Sequence, residues 1–293
     1  MSTPQPGILA DVPPLSRYLE FTRIRDTDPR PALTALAAGP VDESVVIGLG
    51  AGLVMGLGGA VQGLRHFPAL TGPGVEVPST QADLWVWVRG TDRGVITHRG
   101  RAVEALLKDA FARVRLVDGF KYDISRDLSG FEDGTENPKG DKAAEAAIAT
   151  GRGAGLDGSS FVAAQQWAHN LTHMESLSQK ERDDIVGRHQ DTNEEFDEAP
   201  DSAHVKRTAQ ESFEPVAFVV RRSMPWADAS GEGLMFVAFG HSFDAYEAQM
   251  RRMTGLEDGI VDGLFRYSRP ISGSFFWCPP VLDGHLDLSA MGV

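Results

Sequence analysis

One pattern constrains this chain more than any other: strand-type and helix-type segments run in the order β-α-β-β-α-β, and that order then repeats. In the first run, SRYLEFTRI (16–24) reads as a strand and DPRPALTALAAG as a helix stopped at Gly39. ESVVIGLG (43–50) and ADLWVWVRG (82–90) read as buried strands. Val103, Leu106, Leu107, Ala110, Phe111 and Val114 recur at helical spacing over 101–113, and RLVDGFKYDI follows as a strand or hairpin arm. In the second run, 158–171 reads as a strand and THMESLSQKERDDIVGR as one helix, with Thr172 and Glu175 spaced as a capping box. Strands at 216–222 and 233–240, a helix over SFDAYEAQMRRMTG closed by Gly255, and a last strand in ISGSFFWCPP complete it. The expected fold class is therefore α+β: tandem duplicated ferredoxin-like (βαββαβ) domains with antiparallel sheets covered by helices. The Gly-, Asp- and Lys-rich stretch 132–158 supplies the boundary, giving domains 1–140 and 141–293. The acidic run between Asp191 and Ser202 reads as a solvated loop.

Composition then excludes several functions. With 28 Lys plus Arg against 41 Asp plus Glu, the net charge of −13 argues against nucleic acid or an anionic membrane as the main partner. No apolar run reaches the roughly 18 residues of a membrane span. The start, MSTPQPGILADVPP, lacks the basic and apolar regions of a secretory signal, so a cytoplasmic location is expected. A single cysteine, Cys278, cannot form an intramolecular disulfide or a CxxC pair. VVIGLGAGLVMGLGG imitates a dinucleotide fingerprint, but Leu53 stands where the third glycine belongs. Close backbone packing, or a loop facing a ligand, is the expected role of those glycines.

The most specific wording is SGFEDGTENP (129–138), where Gly130 and Gly134 flank Glu132 and Asp133. By residue type alone it is either a loop aiming a carboxylate at a flat ligand or a turn with an exposed Asp. As a motif it resembles the GxxDG-type signature of the dye-decolourising peroxidases, haem enzymes built on a duplicated ferredoxin-like fold. QPGIL, VGR (186–188), SAHVKR (202–207), VVRRSMPW (219–226), GLMFVAF (233–239) and SGSFFWCPP resemble further landmarks of that family in order. The missing leader is similar to its cytoplasmic, B-type (class P-like) branch.

That resemblance implies haem b (iron protoporphyrin IX), reduction of H2O2 through a ferryl intermediate, and oxidation of small-molecule electron donors such as dyes and phenols. It implies His204 as the axial iron ligand and Asp262 as the carboxylate holding its other nitrogen, with Asp258 the competing choice. Asp133 matches the distal carboxylate and Arg221 the distal arginine. Arg222 is the alternative, though neighbours on a strand point to opposite faces. Ser223 would share the face of Arg221. Arg188 matches a haem-propionate partner, or is an ordinary helix C-terminal cation. His169 and His173 have i, i+4 spacing, but a strand-to-helix boundary between them breaks a shared metal face. Among Trp85, Trp87, Trp167, Trp226, Trp277, Tyr18, Tyr122, Tyr246 and Tyr267, most are expected in the core rather than as surface radical sites. A homo-oligomer is expected, with no nucleic-acid or membrane partner, and the acidic surface predicts that cationic donors are oxidised better than anionic ones at low salt. The alternative is a haem-handling protein (carrier, sensor or iron-releasing) using the same pocket; a haem-free ferredoxin-like module is the third class.

Overall fold

The computed structural model describes residues 2–293. Its first half supplies β1 (Leu15–Arg23), α1 (Arg30–Ala37), β2 (Val45–Leu49), β3 (Leu84–Gly90), α2 (Arg93–Leu107) and β4 (Phe111–Phe120). The second half supplies β5 (Ser160–His169), α3 (Gln179–Val186), β6 (Met224–Asp228), β7 (Gly231–Gly240), α4 (Asp244–Met253) and β8 (Ser274–Cys278). In space the strands run β4-β1-β3-β2 in one half and β8-β5-β7-β6 in the other. Both are the order 4-1-3-2, with every pairing antiparallel, so the duplicated ferredoxin-like plan is present. The two sheets meet edge to edge. Trp277 of β8 pairs with Leu49 of β2, and Gly119 of β4 pairs with Trp226 of β6. Each half's second strand thus meets the other half's fourth, and the eight strands close into a barrel that leaves neither sheet a free edge.

Closure explains why LWVWV carries no polar alternation. Trp85 and Trp87 fill the barrel with Tyr18, Trp226, Phe239 and Phe276, while Leu84, Val86 and Val88 face the outer helices. A strand buried on both faces needs apolar residues throughout. Cys278 lies inside the barrel, where burial pushes its thiol far above the ordinary range. The glycines of the false fingerprint serve packing: a Cβ on Gly50 would stand 2.4 Å from the Ala82 carbonyl oxygen, and one on Gly48 2.7 Å from the Phe276 Cβ. None of the candidate aromatics is well exposed except Tyr122.

Three local expectations are corrected. The helix expected over 101–113 begins earlier, at Arg93, because the Asp92 carboxylate accepts the Val95 N–H. It stops at Leu107, and Phe111 already belongs to β4. The single helix expected over 172–188 is two, Leu171–Ser176 and α3, separated by extended Leu177. The capping box is Ser178 with Glu181 rather than Thr172 with Glu175, and Asn170 caps the shorter helix. Finally, the strand expected at 216–222 is reduced to Val220–Arg221. No helix among the described residues is long and apolar enough to cross a membrane.

Candidate active site

A cavity of about 850 Å3 lies against the outer face of the second sheet. Its walls are apolar: Trp167 of β5, Leu234 and Phe236 of β7, Met250 and Met253 of α4, and Leu264. A second lobe of about 630 Å3 shares Asp133, His204 and Arg221 with it and adds Arg188. The polar groups at the cavity are few and arrive from separate segments.

On one side stands His204, at the start of a single helical turn, His204–Arg207. Its Nδ1–H donates to Asp262 Oδ2 at 2.8 Å. Asp262 has no exposed side-chain surface and is itself fixed, because its Oδ1 accepts the Leu264 N–H at 2.8 Å and caps a short 3-10 turn. That leaves His204 Nε2 without a hydrogen bond among the described residues, the state a metal-binding imidazole requires. Asp258, the competing acid, is committed elsewhere: Arg207 donates two 2.7 Å hydrogen bonds to it.

Asp133 and Arg221 also line this cavity. Arg221 Nε lies 3.6 Å from Asp133 Oδ1 and is buried without a hydrogen-bond partner. Arg222 turns the other way and donates to the Leu9 and Ala10 carbonyls of the N-terminal arm. The expected companion of Arg221, Ser223, is not brought into the main cavity. The backbone leaves strand geometry between Arg221 and Met224, so Ser223 lines a smaller cleft of about 220 Å3 that also touches Asp133 and Tyr122. Arg188 borders the second lobe just beyond α3 and pairs with Glu136 at 2.8 Å and with Glu195.

Sequence reasoning missed Asn137, although it lies inside SGFEDGTENP. Its side-chain amide behaves as a strand partner for Arg221: Oδ1 accepts the Arg221 N–H at 2.7 Å and Nδ2 donates to the Arg221 carbonyl at 3.0 Å. One residue therefore couples the Asp133 loop to the Arg221 strand. Asp127 and Ser268, also missed, form a polar section of the cavity wall with Ser129, His169 and Tyr267. No hydrophobic periodicity marks them, since they sit on loop 127–133 and at strand ends.

The sequence model described as "Dyp-type peroxidase, C-terminal" matches residues 124–283, more than half of the chain. The dye-decolorizing peroxidase of Mycobacterium tuberculosis is 30% identical over 224 residues, which is 74% of this chain and 67% of that protein. The chain belongs to the dye-decolourising peroxidase family. Aligned regions span about two thirds of the curated relatives, 61% for the dye-decolorizing peroxidase of Brevibacterium linens. Solved structures align more fully. A candidate dyp-type peroxidase from Shewanella oneidensis is 28% identical with a TM-score of 0.90, covering 96% of this chain and 97% of that one. A DypB variant of Rhodococcus jostii RHA1 in complex with heme is 26% identical with a TM-score of 0.86, covering 94% and 96%. Membership makes the chain a peroxidase-class enzyme, and heme is the group bound by the Rhodococcus jostii protein. The residues present fit that group: a free imidazole nitrogen held by a buried carboxylate, broad apolar walls, and guanidinium groups in reach of the same space.

Proposed function

We propose that the protein reduces hydrogen peroxide and oxidises small organic donors, including dyes and phenols, with His204 as the residue that would hold the haem iron and Asp133 and Arg221 as the peroxide-handling pair. The observation that carries this reading is that the His204–Asp262 pair and the Asp133–Arg221 pair open on one cavity. A carrier of haem needs the first pair and has no use for the second.

Bound haem supplies the iron that receives peroxide and stores its oxidising equivalents. The chain supplies the rest. Asp262 fixes the His204 ring and its tautomer and makes the imidazole more electron-donating. Asp133, as a carboxylate, takes a proton from peroxide and returns one to the departing oxygen. Arg221, whose backbone is pinned by Asn137, stabilises negative charge on that oxygen with its guanidinium. Arg188, now paired with Glu136 and Glu195, is the guanidinium that would hold a carboxylate-bearing edge of the cofactor. The acidic groups of the second lobe, among them Glu136, Glu195 and Glu211, favour cationic donors at low salt.

Stopped-flow mixing of haem-loaded protein with peroxide tests the reading. Asp133→Ala and Arg221→Ala should each slow the first spectral change by about 10²–10⁴-fold, the scale of general acid–base and preorganised-charge contributions. His204→Ala should lose or loosen haem. Parental rates in both distal variants would overturn the assignment.

A further inference from the structure

A buried serine–histidine–aspartate line borders the same cavity and has no part in the chemistry above. Ser268 begins the short strand Ser268–Pro270, paired beside β5 with Ser268 opposite His169. His169 Nδ1 is 2.7 Å from Ser268 Oγ, and His169 Nε2 is 3.0 Å from Asp127 Oδ1. The other Asp127 oxygen accepts the Ser129 N–H at 2.9 Å and the Ser129 hydroxyl at 2.5 Å. No side-chain hydrogen bond joins this line to Asp133, Arg221, His204 or Asp262 among the described residues.

The tautomer follows from the partners. A carboxylate can only accept, so the Nε2 proton faces Asp127, and the Nδ1 lone pair faces the Ser268 hydroxyl. Burial would raise the Asp127 carboxyl, but the His169 contact and the two Ser129 donors outweigh it and hold the carboxyl below its ordinary value. Both imidazole nitrogens are occupied within the line. A proton from the cavity can therefore enter only through Ser268 Oγ, onto Nδ1, giving an imidazolium against an ionised carboxylate. Two neighbouring groups do not compete. Tyr267 lies across the imidazole face with its phenol pushed far up by burial and by Asp127, and Arg126 turns to the Gly130 and Gln190 carbonyls.

We propose that Ser268, His169 and Asp127 accept the proton of phenolic donors oxidised at this cavity, so that the site favours donors that release a proton with their electron. This rests on the peroxidase reading. The phenol gives one electron to the oxidised cofactor; its O–H proton goes to Ser268 Oγ as the serine proton passes to His169 Nδ1. A neutral phenoxyl radical leaves. Over a full cycle one peroxide and two phenols give two waters and two phenoxyl radicals, so the protons collected here balance those consumed in forming water.

The test uses haem-loaded parent, Ser268→Ala and His169→Gln, the serine variant being the one least able to disturb the loop. Turnover is compared with guaiacol, which loses a proton, and with ferrocyanide, which loses only an electron. Independently of turnover, 4-nitrophenol is bound to the resting enzyme and its phenol–phenolate absorbance is titrated. The expected result is a loss of about tenfold or more in kcat/KM for guaiacol with ferrocyanide unchanged. The bound nitrophenol should also titrate about one pKa unit higher in both variants than in the parent, a tenfold change in the proton equilibrium. Equal losses for both donors, or parental guaiacol turnover with an unmoved nitrophenol titration, would overturn the proposal. Failure of the parent to oxidise either donor with peroxide would instead refute the peroxidase reading, and the nitrophenol titration would still judge the proton line.

Discussion

Asp262→Asn probes the most sharply defined contact of the site. The side chain is fully buried and serves two donors at 2.8 Å, His204 Nδ1–H and Leu264 N–H. An asparagine keeps the shape but has one acceptor and one donor. If its oxygen stays on Leu264, its amide donates to His204 Nδ1 and drives the proton to Nε2, the nitrogen that must bind iron. If the amide flips to preserve the histidine bond, the Leu264 N–H is left facing a donor, a cost of about 1–3 kcal/mol. Loss of charge assistance removes roughly another 1 kcal/mol from the histidine bond. Either arrangement weakens haem binding by on the order of 2 kcal/mol, or about 10–100-fold, in line with the usual effect of losing an outer partner of a metal ligand. Titrating apo-protein with hemin, followed by tryptophan quenching and by the haem absorbance band, measures this. Asp258→Asn is the control, because Asp258 serves Arg207 and is partly exposed, so hemin affinity should stay parental. Parental affinity and spectrum in Asp262→Asn would refute the argument that this carboxylate sets the histidine tautomer.

Asn137→Ala removes both side-chain bonds to the Arg221 backbone, so the peroxide reaction should slow by about 10-fold or more while hemin affinity stays parental; a fall in affinity without a slower reaction would show that Asn137 supports the pocket rather than Arg221. Inside the barrel, burial pushes the Glu20 carboxyl up to about 7 from an ordinary 4.5, with Arg115 opposing. Its contribution to stability is thus fully present below about pH 4.5 and is lost as pH rises through about 7. Urea unfolding of parent and Glu20→Gln across that window should show the variant gaining on the parent by on the order of 3 kcal/mol toward high pH; a constant difference would refute the assignment.

The fold was legible because its two rules are local. A strand buried on both faces must be apolar throughout, as in LWVWV and FFWC, and hairpins and crossovers must return the chain to its own sheet. Boundaries were less legible where a single side chain decides them. Asp92 starts α2 ten residues ahead of the visible hydrophobic stripe, which begins at Val103, and Leu177 divides what periodicity reads as one helix. Within the site, the motif-borne Asp133, His204 and Arg221 come to one cavity, and the acid Asp262 stands behind His204. Ser223 departs because the strand carrying Arg221 ends at that residue, which voids the two-residue repeat used to place it.

By itself the sequence determined the class of fold, the acidic surface, the absence of a second cysteine and the segments that carry the chemistry, since each is a property of residue type and spacing. Tertiary structure alone decided three things. It closed two sheets into one barrel, chose Asp262 over Asp258, and placed Asp127, His169 and Ser268 in one hydrogen-bonded line. The reason is reach. Those partners lie between 42 and 99 residues apart along the chain, or in opposite halves, and hydrogen bonds act over about 3 Å. No periodicity within a segment records which distant segment will lie beside it.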